Sequence, residues 1–182
     1  MDPKLILIDG YNVIRNMPGL AAAERSSLSA GREALLAQVS AQFRHTPHRV
    51  VVVFDGDGPD ETRQGLARMS RGQVVFTRRG VTADTVIGRL AAEARSDGQF
   101  VVVCTNDLAV RTETAAFGAK SAGVSELGRT LNAAPKHLEK RMRHQQAVRR
   151  HWEDADDEPA RPRKGNAHRP PKRRRGRSEP WL

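Results

Sequence analysis

Only one cysteine occurs in the 182 residues, Cys104, and it lies inside an apolar run. Neither an intrachain disulfide framework nor a Cys/His zinc site can be built from it. No apolar run is longer than a strand, which excludes a transmembrane helix of the usual ~20 residues. The start, Met1-Asp2-Pro3, passes directly into a strand pattern and does not resemble a secretory signal. A reducing, cytoplasmic setting is therefore expected, with no membrane partner. Aromatic residues make up only 4% of the chain, with a single tyrosine, so base-stacking candidates are few. There is no Gly-x-Gly-x-x-Gly and no Gly-x-x-x-x-Gly-Lys-Ser/Thr, so dinucleotide and P-loop chemistry lack support. No Ser-His-Asp arrangement is visible. His45, His48, His137, His144, His151 and His168 all stand apart from the acidic motifs described below.

What the chain does have is positive charge, unevenly spread. The formal net charge is +10. Residues 1–135 carry 16 Lys/Arg against 14 Asp/Glu, whereas residues 136–182 carry 15 against 7. A nearly balanced globular part thus bears a basic extension ending in Pro171-Lys-Arg-Arg-Arg-Gly-Arg177. That pattern points to a polyanionic partner, with nucleic acid as the candidate.

Strand and helix signals alternate. Residues 4–9, 49–55, 73–77, 100–105 and 119–121 read as strands, most of them continuous apolar runs of the kind buried on both faces of a parallel sheet. Gly10 to Ile14 reads as a turn entering a loop, with Met17-Pro18-Gly19 as further punctuation. A helix over 30–44, capped by Ser27 or Ser29, aligns Leu35, Leu36, Val39 and Phe43. Asp60 to Met69 reads as a weak polar helix or an ordered loop. Thr82 caps a helix over 83–96, Asn106 or Asp107 opens another ending at Phe117-Gly118, and Ser125-Glu126-Leu127 begins a last one. The fold class is α/β with a mostly parallel central sheet. Beyond it, residues 134–152 read as a basic helix and 153–182 as a disordered Pro/Arg-rich tail.

Four aspartates occupy the informative positions of this frame. Asp9 ends Leu5-Ile-Leu-Ile-Asp9-Gly-Tyr-Asn12, Asp55 ends Val50-Val-Val-Val-Phe-Asp55, and Asp107 follows Val101-Val-Val-Cys-Thr-Asn. Asp84 falls in the first turn of the 83–96 helix. Singly, each reads as a turn former, a cap or a helix-dipole partner. Together they gather at the carboxyl ends of the strands of one sheet, where α/β proteins place their ligands. Carboxylates collected there repel unless cations neutralise them, which points to Mg²⁺ or Mn²⁺ and to phosphodiester chemistry. Asp55-Gly-Asp57 also has the outline of the Asp-x-Asp signature of haloacid-dehalogenase phosphatases. Those enzymes also need a downstream lysine and a late acidic pair at a strand end, whereas the late acidic cluster here, Glu153-Asp-Ala-Asp-Asp-Glu158, lies in a Pro-flanked tail. A response-regulator receiver would leave Asp84 unexplained.

The ordered series Asp9-Gly-Tyr-Asn12, Val-Val-Phe-Asp55, Thr82-Ala-Asp84-Thr-Val-Ile87, Thr105-Asn-Asp107 and Gly118-Ala-Lys-Ser-Ala-Gly-Val-Ser-Glu-Leu127 resembles the NYN domain, in its YacP-type branch within the PIN-like nuclease group. The resemblance covers about residues 3–132, so that 1–133 is expected to form the NYN/PIN-like domain. It implies a three-layer α/β sandwich and metal-dependent endoribonuclease activity, with ribosome association in part of the family. By position, Asp9, Asp84 and Asp107 match the family's acidic metal-site motifs, Asp55 its second strand-end acid, and Asn12 the asparagine of Asp-Gly-Tyr-Asn. The Thr-Asn-Asp motif departs from the serine common before that last aspartate. Arg78, Arg79 and Arg111 are candidate RNA contacts, and Tyr11 is the best candidate for stacking on a base. The competing class is a non-catalytic RNA- or ribosome-binding protein that keeps the fold and the acidic pocket.

Overall fold

Residues 2–133 are described by the computed structural model. The expected basic helix over 134–152 and the tail over 153–182 lie outside the described residues. In chain order the elements are β1 (Lys4–Asp9), α1 (Gly10–Asn16), α2 (Pro18–Glu24), α3 (Leu28–Phe43), β2 (Arg49–Gly58), β3 (Thr62–Gly65), β4 (Gly72–Arg78), α4 (Ala83–Ser96), β5 (Phe100–Cys104), α5 (Leu108–Ala116), β6 (Lys120–Ala122) and α6 (Val124–Asn132). The strands form one six-stranded sheet in the order β3-β4-β2-β1-β5-β6. Every neighbouring pair is parallel except β3 with β4.

Period-two alternation explains why the central strands are apolar throughout. Ile6, Ile8, Val50, Val52, Phe54 and Val74 face the layer made by α1, α2, α3 and α6, where they meet Ile14, Leu20, Leu35, Val39 and Leu127. Leu5, Leu7, Val51, Val53, Val75, Val101 and Val103 face α4 and α5, against Val86, Ile87, Leu90 and Val110. Each fully buried Val, Leu or Ile contributes roughly 1.5–3 kcal/mol. Two cores of this size make the three-layer α/β sandwich that the sequence predicts.

Two segments differ from expectation. Gly10 opens a helix and not a loop, because Asp9 is its N-cap and accepts from Asn12 N–H at 3.2 Å. Pro18 then begins α2 at a first-turn position, where its missing N–H costs nothing. The Asp60–Met69 stretch contains no helix. Thr62–Gly65 instead lies antiparallel on β4 as a fully exposed edge strand. Its polar residues carry no alternation, so nothing in their pattern announces a strand.

Topology fixes where a site can form. The chain leaves β1 through α1–α3 toward β2, and leaves β5 through α5 toward β6, in opposite directions along the sheet. β1 and β5 are hydrogen-bonded neighbours, so their carboxyl ends flank the switch point where such sheets open a crevice.

Candidate metal and phosphodiester site

At the end of β1 the Asp9 carboxylate is buried, with 6% of the residue exposed. Its Oδ1 accepts from Asn12 N–H, and its Oδ2 accepts from the Thr105 hydroxyl at 3.0 Å. Thr105, itself fully buried, also accepts from Asp107 N–H at 3.0 Å. Burial raises the Asp9 pKa, the two hydrogen bonds work against that rise, and the charges of Asp84 and Asp55 add to it. The net direction is upward.

Asp55 sits where β2 leaves the regular ladder. Its register against β4 shifts between Phe54 and Gly58. Asp55 Oδ1 accepts from Ala83 N–H at 2.7 Å and so caps the start of α4 from a neighbouring strand. Thr82 caps the same helix from within, accepting from Thr85 N–H. That places Asp84 in the first turn of α4, half-buried, with no hydrogen-bond or ion-pair partner among the described residues. Burial raises its pKa, and the charges of Asp107, Asp55 and Glu113 raise it further. Asp107 is the N-cap of α5, its Oδ1 accepting from Ala109 and Val110 N–H.

Asn12, at the start of α1, reaches the loop after β5. Its Oδ1 accepts from Asn106 N–H at 2.9 Å, and Asn106 Oδ1 accepts in turn from Val124 N–H at 2.9 Å. The start of α1 and the loops after β5 and β6 are thereby tied together. Gly10 is obligatory in this arrangement, since a Cβ there would occupy the space of the Phe54 ring.

The structure therefore brings Asp84 within electrostatic reach of Asp9, Asp55 and Asp107, and Asp9 within reach of Asp55, with Asn12 bonded to Asp9. The arginines fare differently. Arg78 and Arg79 are exposed at the end of β4, and Arg79 Nε donates to the Asp57 carbonyl at 3.1 Å. Arg111 is half-buried on α5, and its Nε has no hydrogen-bond partner among the described residues. The Tyr11 ring is buried, edge-on to Phe54 at 5.1 Å with Arg15 over its face at 5.3 Å. It offers no open face to a base. Thr105 and Glu113 join the site unannounced. The first could have been suspected from its place between a strand and Asp107. Glu113 is brought in by the packing of α4 on α5, where Gly88 leaves room for its carboxylate.

A family model for the YacP-like NYN domain matches residues 6–160. The chain belongs to the YacP-like NYN domain family. The match runs well beyond the last motif visible by eye and into the basic extension. The chain is 29% identical over 142 residues to YacP of Bacillus subtilis (strain 168), spanning 76% of this chain and 81% of that one. The crystal structure of Rae1 (YacP) from Bacillus subtilis superposes with a TM-score of 0.64 at 27% identity, covering 87% of this chain and 89% of that chain. A crystal structure of a tryptophan-to-leucine mutant of the same Bacillus subtilis protein gives 0.63 at 28% identity over 78% and 82%. Fold and family are thus those of Rae1. Among the described residues no helix is long and apolar enough to cross a membrane.

NYN and PIN-like nuclease domains are associated with divalent metals, and the donor set suits one. Hard carboxylate oxygens are what Mg²⁺ and Mn²⁺ take. Among the described residues Asp84 keeps both of its oxygens unengaged, and Asp55 and Asp107 each keep one. Among the described residues no three His, Cys, Asp or Glu side chains form a ready-made ion cage. A cation would have to draw the carboxylates together.

Proposed function

We propose that the protein is a divalent-metal-dependent endoribonuclease that hydrolyses RNA phosphodiester bonds, with ribosome-bound message among its candidate substrates. The observation that carries this reading is Asp84, a half-buried carboxylate without a cation or donor among the described residues, within electrostatic reach of Asp107, Asp55 and Glu113. A fold does not retain that repulsion for stability. It suits a site completed by an external cation.

Asp9, Asp55, Asp84 and Asp107 would hold Mg²⁺ or Mn²⁺. When bound, such an ion supplies the Lewis acidity that makes water a competent nucleophile near neutral pH and offsets charge on the leaving oxygen. The chain's own residues do the rest. Thr105 and the Asn12 N–H fix the orientation of the Asp9 carboxylate. Asn12 spends its amide oxygen on Asn106, which leaves its NH₂ donors for a phosphate oxygen. Arg111, with its unpartnered Nε, and the exposed Arg78 and Arg79 supply positive charge for the backbone around the cut. The buried Tyr11 ring argues against stacking on it, so backbone and shape recognition dominate.

The second reading, a non-catalytic RNA- or ribosome-binding protein, draws on the lack of a preformed cage among the described residues. One experiment separates the two. Purified protein, Asp9→Asn and Asp84→Asn are incubated with structured RNA, single-stranded RNA and ribosome-bound message in Mg²⁺, Mn²⁺ or EDTA. Metal-dependent cleavage lost in both variants with binding retained supports the nuclease. Binding without cutting on every substrate moves the function to the second reading.

A further inference from the structure

Arg32 lies beside the acidic pocket, and the proposed chemistry does not use it. It projects from α3, half-buried, and rings hold it in place. Its Nη1 donates to the Tyr11 hydroxyl at 2.8 Å. Its guanidinium carbon lies 5.6 Å from the centre of the Phe76 ring. Phe76 stacks on Phe54 at 5.5 Å, and Phe54 meets Tyr11 edge-on, so the set closes on itself. All of these contacts are to neutral groups.

Arg32 also lines a gap of about 310 Å³ with Asp55, Asp57, Asp60 and Thr62. Among the described residues no carboxylate pairs with it, whereas Arg15, Arg63 and Arg89 each find one. Such a guanidinium has already lost the rotamer freedom that binding would otherwise cost it. It has used one of five N–H donors. Four donors are left over, on a side chain that lines the same gap as Asp55.

We propose that Arg32 binds a phosphate of the RNA strand adjoining the one cut, from the gap that it shares with Asp55. This rests on the nuclease reading above. Asp57 and Asp60 on the same rim oppose an anion, so the contact relies on short, directed hydrogen bonds and gains when divalent ions screen those acids. Tyr11 acquires a role here: its hydroxyl aims the arginine.

The test titrates full-length wild type, Arg32→Gln, Arg32→Lys and Tyr11→Phe with a fluorescein-labelled single-stranded oligoribonucleotide in Ca²⁺ and in EDTA, across a salt series. Steady-state cleavage in Mn²⁺ and a melting curve accompany each variant. Arg32→Gln should weaken binding about tenfold and reduce the steepness of the salt dependence by about 0.7. Its KM should rise in step with little change in kcat. Arg32→Lys should restore the salt dependence without the full affinity. Tyr11→Phe should fall between Arg32→Gln and wild type.

Wild-type affinity, salt dependence and KM in Arg32→Gln at an unchanged melting temperature would overturn the assignment. Should Arg32→Gln fail to fold, Arg32→Lys and Tyr11→Phe decide it, and wild-type affinity in both overturns it. RNA binding that depends on Arg32, with no metal-dependent cutting by the wild type, sinks the nuclease reading and leaves the phosphate contact standing. Metal-dependent cleavage by the wild type that Arg32→Gln matches in KM as well as in kcat does the reverse. A wild type that binds no RNA removes both.

Discussion

Two carboxylates of this domain face the same physical problem and meet it in opposite ways. Burial works against the charge of Glu61, between β2 and β3, but Arg63 at 2.6 Å and Arg89 at 2.8 Å outweigh it and hold its carboxyl below the usual range. Asp84 stands on the same helix as Arg89, five positions earlier, and has no such partner among the described residues. Burial and three neighbouring acids push its carboxyl above the usual range. The chain therefore has arginines at hand and pairs them elsewhere. One acid is neutralised from within the protein, and the other is left for something outside it.

That contrast can be broken most forcefully at Asp84. Asp84→Asn should reduce metal-dependent RNA cleavage on the order of 100-fold or more while leaving oligonucleotide binding within a few-fold. Equal cleavage by wild type and variant would remove Asp84 from the mechanism.

A second test reads the same repulsion through stability. Asp9 and Asp84 are both held above their ordinary range, so the folded chain binds protons at these sites more tightly than the unfolded chain does. Their contribution is fully present below the unfolded Asp value and is lost as pH rises through the raised folded values. Mn²⁺ should therefore raise the melting temperature at pH 8 and much less near pH 4. At a hundred times its Kd it stabilises by about 2.7 kcal/mol. Asp84→Asn should melt higher than wild type in EDTA and lose most of the metal response. A metal response independent of pH and of Asp84 would count against the pocket.

Glu61→Gln probes the paired side. Its partners are partly exposed, so solvent screening limits the loss to about 0.5 kcal/mol or less in chemical denaturation, with cleavage unaffected. The smallest effect belongs to Glu113→Gln. Removing that charge lets Asp84 ionise more readily, so the acidic limb of the pH–rate profile should move to lower pH. A shift in the other direction would show that Glu113 does not act on Asp84 through its charge.

The central sheet was legible because Leu5–Ile8 and Val50–Phe54 are buried on both faces, as are Val101, Val103 and Cys104 with Val102 half-buried, which leaves the sequence no polar positions to scatter. The α1–α2 segment was not. Gly10 and Pro18 look like turn residues, and their helical roles depend on the Asp9 cap and on a first-turn position. β3 was hidden for the opposite reason, since an exposed edge strand needs no apolar residue. At the candidate site, the four aspartates are picked out by strand and helix ends alone, and their nearness to one another follows from the sheet order. Thr105 bridging Asp9 and Asp107, Glu113 reaching Asp84 and Arg32 seated on Phe76 depend on contacts between distant parts of the chain, which no local pattern encodes. Cys104 behaves as its apolar run implies. Burial, with the Glu126 charge added, pushes its thiol up to about 12.

The ties among these three segments, the start of α1 and the loops after β5 and β6, bear on how the protein is made. Asp9 is bonded to a residue 96 positions later, and Asn12 to one 94 positions later. Contacts of such sequence separation form late, after the intervening chain has closed its loop. During synthesis β1 leaves the ribosome long before β5, so the emerging chain carries three of the four aspartates before the Thr105 hydroxyl and the Asn106 N–H that fix Asp9 and Asn12 exist. Fragments that end before Thr105 should lack the bonds that fix Asp9 and Asn12, and the four aspartates come together only when β5 has paired with β1.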